Sequence, residues 1–351
     1  MNKIRVLVVD DMALVRDILA KGLSMDPEIE VVGTAADPYA ARDKILALRP
    51  DVMTLDVEMP KMDGVEFLRR LMPQRPMPVV MVSSLTESGK RITLDALEAG
   101  AIDFVLKPKA DIARGLNAMM IELRAKVKTA SRANVAQLKR PGPATAPSHP
   151  KPQHGALRES TDKVVAIGAS TGGTEAIKEV LTGFPADTQG VVIVQHMPAG
   201  FTKMFAERLN SLCAMEVKEA EHGDRVMRGR VLIAPGGRHM ELERSGGVYK
   251  VVVRDGPTVN GHCPSVEVLM RSVARHAGSN AVGVILTGMG GDGADGMKAM
   301  RDAGARTMAQ DEMTCVVFGM PKVAWERGAA ERLLPLGDIA KSVLAVLGGG
   351  G

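Results

Sequence analysis

The stretch VVAIGASTGG, residues 164–173, joins an apolar run to a glycine-rich turn that carries a single serine. Two later stretches have the same form: VVIVQHMP at residues 191–198 carries a histidine, and VGVILTGMGGDG at residues 282–293 carries an aspartate. Short apolar runs that alternate with helical patterns are typical of parallel strands joined by helices. Because parallel strands end at the same edge of a sheet, we expect the serine, the histidine and the aspartate to meet there.

These three residue types indicate a serine hydrolase. Ser170 lies in a G-x-S-x-G pattern, whose small residues allow a tight turn from strand to helix that exposes the hydroxyl. The hydroxyl needs a base, and His196 is the histidine that directly follows a strongly apolar run. Asp292 would orient the imidazole and stabilise its charged form. The amides of a helix predicted near 174–181 would stabilise an oxyanion. The order Ser, His, Asp differs from the Ser, acid, His order of α/β-hydrolases.

Composition narrows the class of protein. The 351 residues are enough for two domains with full cores. No apolar run approaches the roughly 20 residues that cross a bilayer, and no cleavable signal pattern is present, so we expect no membrane insertion. The three cysteines form no CxxC pair, which favours the reducing cytoplasm.

The net charge of +4 comes from residues 123–158, which hold eight Lys/Arg and no acidic residue, and aromatic residues make up 3%. Nucleic acid is therefore not an expected partner.

The sequence divides into three segments. Residues 1–125 alternate apolar runs with helical patterns and predict one doubly wound parallel sheet. Residues 126–160 are basic and rich in proline, which predicts a flexible linker. Residues 161–349 show a second α/β pattern, predicted as a three-layer domain with a β-hairpin near 238–254 that turns at 245–247. The predicted fold class is α/β, with two doubly wound parallel-sheet domains. The runs expected to form strands are 4–9, 30–34, 52–55, 79–82 and 104–106 in the first segment and 163–168, 190–195, 215–219, 230–234, 281–287 and 305–309 in the last.

The first segment places charged and hydroxyl groups at the ends of its predicted strands. Asp10 and Asp11 follow the first run, Asp56 the third, Ser83 the fourth and Lys107 the fifth. Crowded carboxylates repel one another unless a hard cation such as Mg²⁺ joins them. A carboxylate beside that ion, with an ammonium and a hydroxyl nearby, can accept a phosphoryl group. The pattern therefore predicts a phosphorylation switch.

This segment resembles the response-regulator receiver family. The shared motifs are VVDD at 8–11, LDVEMP at 55–60, MDG at 62–64, VSS at 82–84 and KP at 107–108. The resemblance implies these roles: Asp56 as phosphoacceptor, Asp10 and Asp11 with the Glu58 backbone carbonyl at the Mg²⁺ site, Lys107 as partner of the phosphoryl group, and Ser83 and Phe104 as switch residues. It also implies a cis peptide between Lys107 and Pro108.

The last segment is similar to the catalytic domain of the chemotaxis protein-glutamate methylesterases, the CheB family. The motifs that carry the resemblance are Gly168–Gly173, Gln195–Pro198, His262–Val266, Leu286–Gly293 and Phe318–Pro321. Residues 263–265 are also typical of a helix start, so their catalytic role stays open. The resemblance implies Ser170, His196 and Asp292 as a triad, with Met289 and Thr171 near the oxyanion and substrate. It implies hydrolysis of glutamate methyl esters on chemoreceptors, deamidation of particular receptor glutamines, no cofactor for hydrolysis, and phosphorylation by a chemotaxis histidine kinase.

Other functions fit the sequence less well. The GMGGDG stretch at 288–293 also matches a dinucleotide fingerprint, with Asp311 about 20 residues further on, but it is not at the first strand–helix turn and leaves Ser170 and His196 without a role. A non-enzymatic phosphorylation-controlled adaptor is the alternative function, and the presence of all three triad residue types argues against it. A transcription factor would need a recognition helix, for which the strand-rich last segment offers no candidate.

Overall fold

The computed structural model describes residues 3–60, 62–84, 86–108, 112–135 and 162–348. The chain separates into two compact units, Met1–Arg140 and Pro141–Gly351. Among the described residues, no helix is both long and apolar enough to cross a membrane.

The first unit is a five-stranded parallel sheet with helices between successive strands. Its elements are β1 (Ile4–Val9), α1 (Ala13–Ser24), β2 (Ile29–Ala35), α2 (Pro38–Leu48), β3 (Val52–Asp56), α3 (Gly64–Gln74), β4 (Val79–Ser83), α4 (Glu87–Glu98), β5 (Asp103–Leu106) and α5 (Ile112–Ala130). The strand order is β2-β1-β3-β4-β5. All five residues of β3 and of β4 are buried, as expected for central strands covered by helices on both faces. The chain reverses its direction of winding at β1, so the carboxyl ends of β1 and β3 flank a crevice suited to a ligand.

The second unit has a seven-stranded parallel sheet and a separate hairpin. Its elements are β6 (Val164–Ala169), α6 (Gly173–Thr182), β7 (Gly190–Gln195), α7 (Phe201–Leu212), β8 (Glu216–Glu219), β9 (Arg230–Ile233), β10 (His239–Ser245), β11 (Val248–Arg254), α8 (Val266–Ala277), β12 (Ala281–Ile285), α9 (Ala294–Asp302), β13 (Arg306–Gln310), α10 (Met320–Glu326), β14 (Arg332–Leu334) and α11 (Leu336–Gly348). The strand order is β14-β13-β12-β6-β7-β9-β8, and β10 pairs with β11 in an antiparallel hairpin. The neighbours β12, β6 and β7 carry the three stretches that the sequence singled out.

Helix α8 packs directly on the carboxyl ends of these central strands. A Cβ atom on Gly168, at the end of β6, would lie 2.2 Å from a methyl carbon of Val266 in the first turn of α8. Glycine is therefore required for the close approach of strand and helix. This contact brings the N-terminal end of α8 to the edge of the sheet where the candidate residues lie.

The prediction of two α/β parallel-sheet domains is confirmed, and the hairpin turns after Ser245 as expected. Strand β14 was not predicted, because its three residues are too few to show a pattern. Helix α5 continues to Ala130, since Val127 and Ala130 are buried against the first unit, so residues 126–130 are helical and not part of a linker. Residues 136–161, where most of the predicted linker falls, lie outside the described residues.

The expected cis peptide at Lys107–Pro108 is wrong. The structure records a cis peptide at Cys263–Pro264 and not between Lys107 and Pro108. A peptide bond before proline favours the trans form by about 0.5–1 kcal/mol unless contacts around it favour cis. The family resemblance alone did not establish such contacts at Pro108.

Candidate functional site

Strand pairing brings the serine and the histidine together. In the register of β6 and β7, Ala169 faces Gln195, so Ser170 and His196 are the next pair beyond the strand ends. The backbone N–H of His196 donates to the carbonyl of Ala169 at 3.1 Å, and that of Ser170 donates to Thr287 on the other side at 3.1 Å. The parallel hydrogen-bonding pattern of the sheet therefore continues one residue beyond the strand ends and positions Ser170 and His196.

Ser170 lies in a tight turn at the start of α6. Its carbonyl accepts hydrogen bonds from the N–H of Gly173 at 2.7 Å and from the side chain of Gln195 at 2.9 Å. A Cβ atom on Gly288 would lie 2.8 Å from the Cβ of Ser170, so the loop after β12 contacts the serine directly. Thr171 and Met289 directly follow Ser170 and Gly288 in the sequence; Thr171 is buried and Met289 is 45% exposed.

His196 is bound to Asp292 through its Nε2 atom, at 2.8 Å from Oδ2. Its Nδ1 atom is buried and has no hydrogen-bond partner in the described part of the chain. In the familiar serine-protease triad the acid binds Nδ1, whereas here Asp292 binds Nε2. The Ser170 hydroxyl is not hydrogen-bonded to Nδ1 in this structure, and such bonds commonly tighten only when substrate is bound.

Asp292 is buried, and besides His196 its carboxylate accepts hydrogen bonds from the turn that carries Asn260 and from the start of α8. Oδ1 accepts from the Asn260 carboxamide at 2.9 Å and the Ser265 hydroxyl at 2.8 Å, and Oδ2 accepts from the backbone N–H of Val266 at 2.7 Å. Burial opposes ionisation of Asp292, but these bonds and the charge of His196 outweigh it and lower the pKa of Asp292 to about 2. The amino end of α8 also favours a negative charge at this position. Asp292 is therefore held as a carboxylate.

The ring of His196 is supported on one face by a second histidine. The His262 ring stacks on it with centroids 3.7 Å apart and planes 9° apart. His262 belongs to a short turn that follows β11 and that also carries Asn260. The base is therefore restrained by its hydrogen bond to Asp292 and by the stacked ring.

A cluster of carboxylates lies at the carboxyl edge of the sheet in the first unit. Oxygen atoms of Asp10, Asp11 and Asp56 lie within 4.8 Å of one another. The Lys107 ammonium is 2.9 Å from Asp10 and 3.0 Å from Asp56. Three carboxylates at this spacing match the hard oxygen ligands that Mg²⁺ prefers. The residues present thus fit a divalent cation, and one lysine partly compensates their charge.

Asp56 has an environment that opposes its ionisation. Burial raises its pKa to about 6; the Lys107 ammonium opposes this shift, and the neighbouring Asp10 carboxylate adds to it. Its Oδ1 atom accepts one backbone hydrogen bond, from Val57 at 2.8 Å. A cation bound to the cluster would favour the carboxylate form of Asp56, which is the form that attacks phosphorus.

The two predicted switch side chains, Ser83 and Phe104, are buried. The Ser83 hydroxyl is 2.5 Å from the Thr93 hydroxyl on α4. Phe104 is 5% exposed, and the Lys126 ammonium on α5 lies 5.3 Å from the centre of its ring. The Ser83 hydroxyl therefore has a hydrogen-bond partner on α4.

Comparison with known proteins identifies both units. Residues 165–343 match the family model described as CheB methylesterase, and residues 6–117 match the response regulator receiver domain. The chain belongs to the CheB methylesterase family. Its curated relatives include a protein-glutamate methylesterase/protein-glutamine glutaminase of Syntrophotalea carbinolica, 67% identical over 99% of this chain and 98% of the relative. The protein of that name from Salmonella typhimurium is 55% identical over 100% of this chain and 99% of the relative.

A solved structure of this family matches the second unit. The Thermotoga maritima CheB methylesterase catalytic domain is 39% identical, with a TM-score of 0.51, over 52% of this chain and 98% of that structure. The CheB-type fold predicted for the second unit is thereby confirmed.

The sequence did not reveal most of the groups that surround the predicted site residues. The structure brings Ser170, His196 and Asp292 to one edge, but Asn260 and Ser265 were not predicted as partners of Asp292. The Asn260-Gly261 pair does signal a tight turn, although nothing local shows what its side chain reaches. Ser265 occupies the N-cap position of α8, where its hydroxyl bonds Asp292 and makes no cap hydrogen bond. The Asp311 of the rival dinucleotide fingerprint accepts a hydrogen bond from the Thr314 amide at 2.9 Å and thus has a local structural role.

Proposed function

We propose that this chain hydrolyses glutamate γ-methyl esters of chemoreceptors, releasing methanol, and that Ser170, His196 and Asp292 carry the reaction. The observation that supports the proposal most directly is the buried Asp292–His196 pair beside a serine in the tight turn between β6 and α6. Relatives that match nearly the whole chain are named for methylesterase and glutaminase activities, so deamidation of receptor glutamines by the same acyl chemistry belongs to the proposal.

In the proposed acylation step, the Ser170 oxygen attacks the ester carbonyl while Nδ1 of His196 takes the serine proton. The tetrahedral oxyanion is held by backbone amides beside Ser170, for which Thr171 and Met289 are the candidates. The bond from carbonyl carbon to methoxy oxygen then breaks, and His196 returns the proton to that oxygen, forming methanol. A water molecule, deprotonated by His196 in turn, releases the glutamate side chain from Ser170.

Asp292 stabilises the imidazolium that forms in each step. Its carboxylate faces Nε2, so that nitrogen carries a proton throughout and leaves Nδ1 free to accept one. Because Asp292 keeps its charge down to a pH of about 2, it does not take the proton itself. No cofactor enters this proposed hydrolysis.

We propose that phosphorylation of Asp56 controls the hydrolase. Asp10, Asp11 and Asp56 would hold Mg²⁺, which would neutralise charge on the transferring phosphoryl group. Lys107 would contact the same group and Ser83 would turn toward it. The proposed phosphodonor is a chemotaxis histidine kinase, and the proposed compartment is the cytoplasm.

Methanol release from methylated receptor membranes tests the catalytic proposal. Wild type should release methanol, and Ser170→Ala should lower the rate at least about a thousandfold, since removal of a triad nucleophile abolishes the acyl route. Undiminished release by Ser170→Ala would overturn the assignment, and no release by wild type would favour the adaptor alternative.

The same assay tests control when a small phosphodonor and Mg²⁺ are added. Wild type should be stimulated, whereas Asp56→Asn should fold, retain basal activity and show no stimulation. Equal stimulation of the two proteins would contradict Asp56 as the phosphoacceptor.

A further inference from the structure

A four-residue turn, Val259–His262, lies within the segment that connects β11 to α8. The backbone N–H groups of Val259 and His262 each donate to the carbonyl of the other at 3.0 Å, which closes a two-residue hairpin. Between them, Asn260 has a φ of 53° and Gly261 a φ of 82°. Two successive positive φ values define a type I′ turn, for which Asn-Gly is the preferred pair. The Asn-Gly pair therefore determines the backbone conformation of this turn.

The turn reaches both charged members of the proposed triad. The Asn260 carboxamide donates to Oδ1 of Asp292 at 2.9 Å, and the His262 ring stacks on His196. Oδ1 is the oxygen that does not face His196, since Nε2 binds Oδ2. Asn260 thus holds the far side of the carboxylate while His196 uses the near side.

The torsion that orients a carboxylate is intrinsically broad. Nε2 of His196 and the backbone N–H of Val266 both bind Oδ2, and a carboxylate held only at that oxygen can still rotate and draw the imidazole with it. The bond from Asn260, together with that from Ser265, fixes Oδ1 and thereby directs Oδ2 at Nε2. A carboxamide is suited to this task because it donates a hydrogen bond without adding a charge that would compete with the imidazolium.

We propose that Asn260 is a positioning residue for the hydrolase: the Asn-Gly turn places its carboxamide so that Asp292 presents Oδ2 to His196. This inference rests on the proposed function of Ser170, His196 and Asp292. Asn260 hydrogen-bonds Asp292, so we expect its effect to be transmitted through that carboxylate.

The Asn260→Gly variant tests the role of the side chain separately from that of the backbone turn. Glycine adopts positive φ readily, so the turn is kept while the carboxamide is removed. We expect kcat for methanol release to fall about tenfold, as for loss of one hydrogen bond to a charged group, with KM changed by less than about twofold. Asn280→Gly is the matched control, since Asn280 is exposed and directly precedes β12 at the opposite edge of the sheet. That control should match wild type.

Asn260→Asp should be the more damaging variant, because it sets a second carboxylate against Oδ1 in place of a donor. A loss smaller than that of Asn260→Gly would contradict the proposed contact.

Titration of Ser170 with a fluorophosphonate distinguishes positioning from partial unfolding. In this probe reaction the serine oxygen bonds phosphorus and fluoride leaves. Asn260→Gly should label to the same final stoichiometry as wild type but more slowly, whereas a partly unfolded sample would label to a lower stoichiometry at the normal rate. Wild-type kcat in Asn260→Gly, or a reduced stoichiometry that accounts for the loss, would overturn the inference. If Ser170→Ala also released methanol normally, the proposed function itself would fail; if only Asn260→Gly were normal, the inference alone would fail.

Discussion

Two buried aspartates, each at the carboxyl edge of a parallel sheet, have opposite electrostatic environments. Asp292 accepts hydrogen bonds from His196, Asn260, Ser265 and the start of α8, and its pKa lies at about 2 despite burial. Asp56 is also desolvated, but it lies beside another carboxylate with one lysine between them, and its pKa is raised to about 6. Burial alone therefore does not decide whether a carboxylate ionises. The donors around it do.

The side chains near the two aspartates also differ in how they are held. In the second unit the base is already restrained by Asp292 on one side and by the His262 ring on a face. In the first unit the Ser83 hydroxyl is hydrogen-bonded to the Thr93 hydroxyl on α4. We infer that the hydrolytic site is preorganised, whereas the phosphorylation site changes when it acts.

The largest expected effect comes from Asp292→Asn, which removes the charge at nearly constant shape. With an amide at this position, the donors of Asn260 and Ser265 and the Nε2 proton of His196 compete for one acceptor oxygen. We expect kcat for methanol release to fall by about 10⁴, as when a triad acid is neutralised. Steady-state kinetics on the folded variant measures this. A fall of less than about tenfold would show that the site does not depend on the charge of Asp292.

The next effect is the pH dependence of stability of the second unit. Because the pKa of Asp292 is lowered on folding, its charged form stabilises the fold above the unfolded pKa of 3.8, and this contribution is lost as the pH falls toward about 2. The shift corresponds to about 2 kcal/mol. Trp325, the single tryptophan, lies in α10 and reports on this unit alone.

Urea titrations followed by Trp325 fluorescence at about pH 7 and about pH 3 test this linkage. Wild type should lose more stability on acidification than Asp292→Asn, because only wild type has the carboxylate to protonate. If the stability of the two proteins changed equally with pH, this would contradict the claim that the donors around Asp292 determine its ionisation.

The sequence predicted the strands accurately, but it did not predict the side-chain contacts made by the loops around them. Residues 4–9 and 190–195 were predicted as strands with the bounds that the structure gives, because their apolar runs stand between turn residues. The strand ends then predicted that Ser170, His196 and Asp292 lie at one edge of the sheet, where the structure places them. Asn260 and Ser265, which hydrogen-bond Asp292, lie in the segment that follows the β10–β11 hairpin. The sequence did not connect that hairpin with the site. The role of Asn260 and Ser265 depends on how α8 packs against Gly168, and no local pattern records that packing.

A smaller effect is expected from divalent cations on the first unit. If Asp10, Asp11 and Asp56 bind Mg²⁺, an ion concentration tenfold above its dissociation constant stabilises that unit by about 1.4 kcal/mol. Calorimetry should show one transition moved upward by Mg²⁺, while the transition seen by Trp325 fluorescence stays in place. Asp10→Asn should abolish the shift. A shift that persisted in this variant would place the cation elsewhere.

The smallest effect concerns the hydroxyl pair that holds Ser83. Thr93 lies on α4 and is fully buried, and its hydroxyl also donates to the Gly89 carbonyl at 2.6 Å. Before Ser83 can contact a phosphoryl group on Asp56, its bond to Thr93 has to break. The weaker contacts of the Ser83 hydroxyl, 3.2 Å to the Ser84 carbonyl and 3.4 Å to the Gly89 carbonyl, would remain as alternatives.

Thr93→Val removes this partner at nearly constant volume. A neutral hydrogen bond contributes about 0.5–1.5 kcal/mol, so we expect the phosphodonor concentration for half-maximal stimulation of methanol release to fall about threefold. Ser88→Ala is the control, because it removes an exposed hydroxyl from the same helix without touching Ser83. If Thr93→Val required the same phosphodonor concentration as wild type, the Ser83–Thr93 bond would not oppose switching. The first unit would then be as preorganised as the second, and the contrast between the two sites would rest on Asp56 alone.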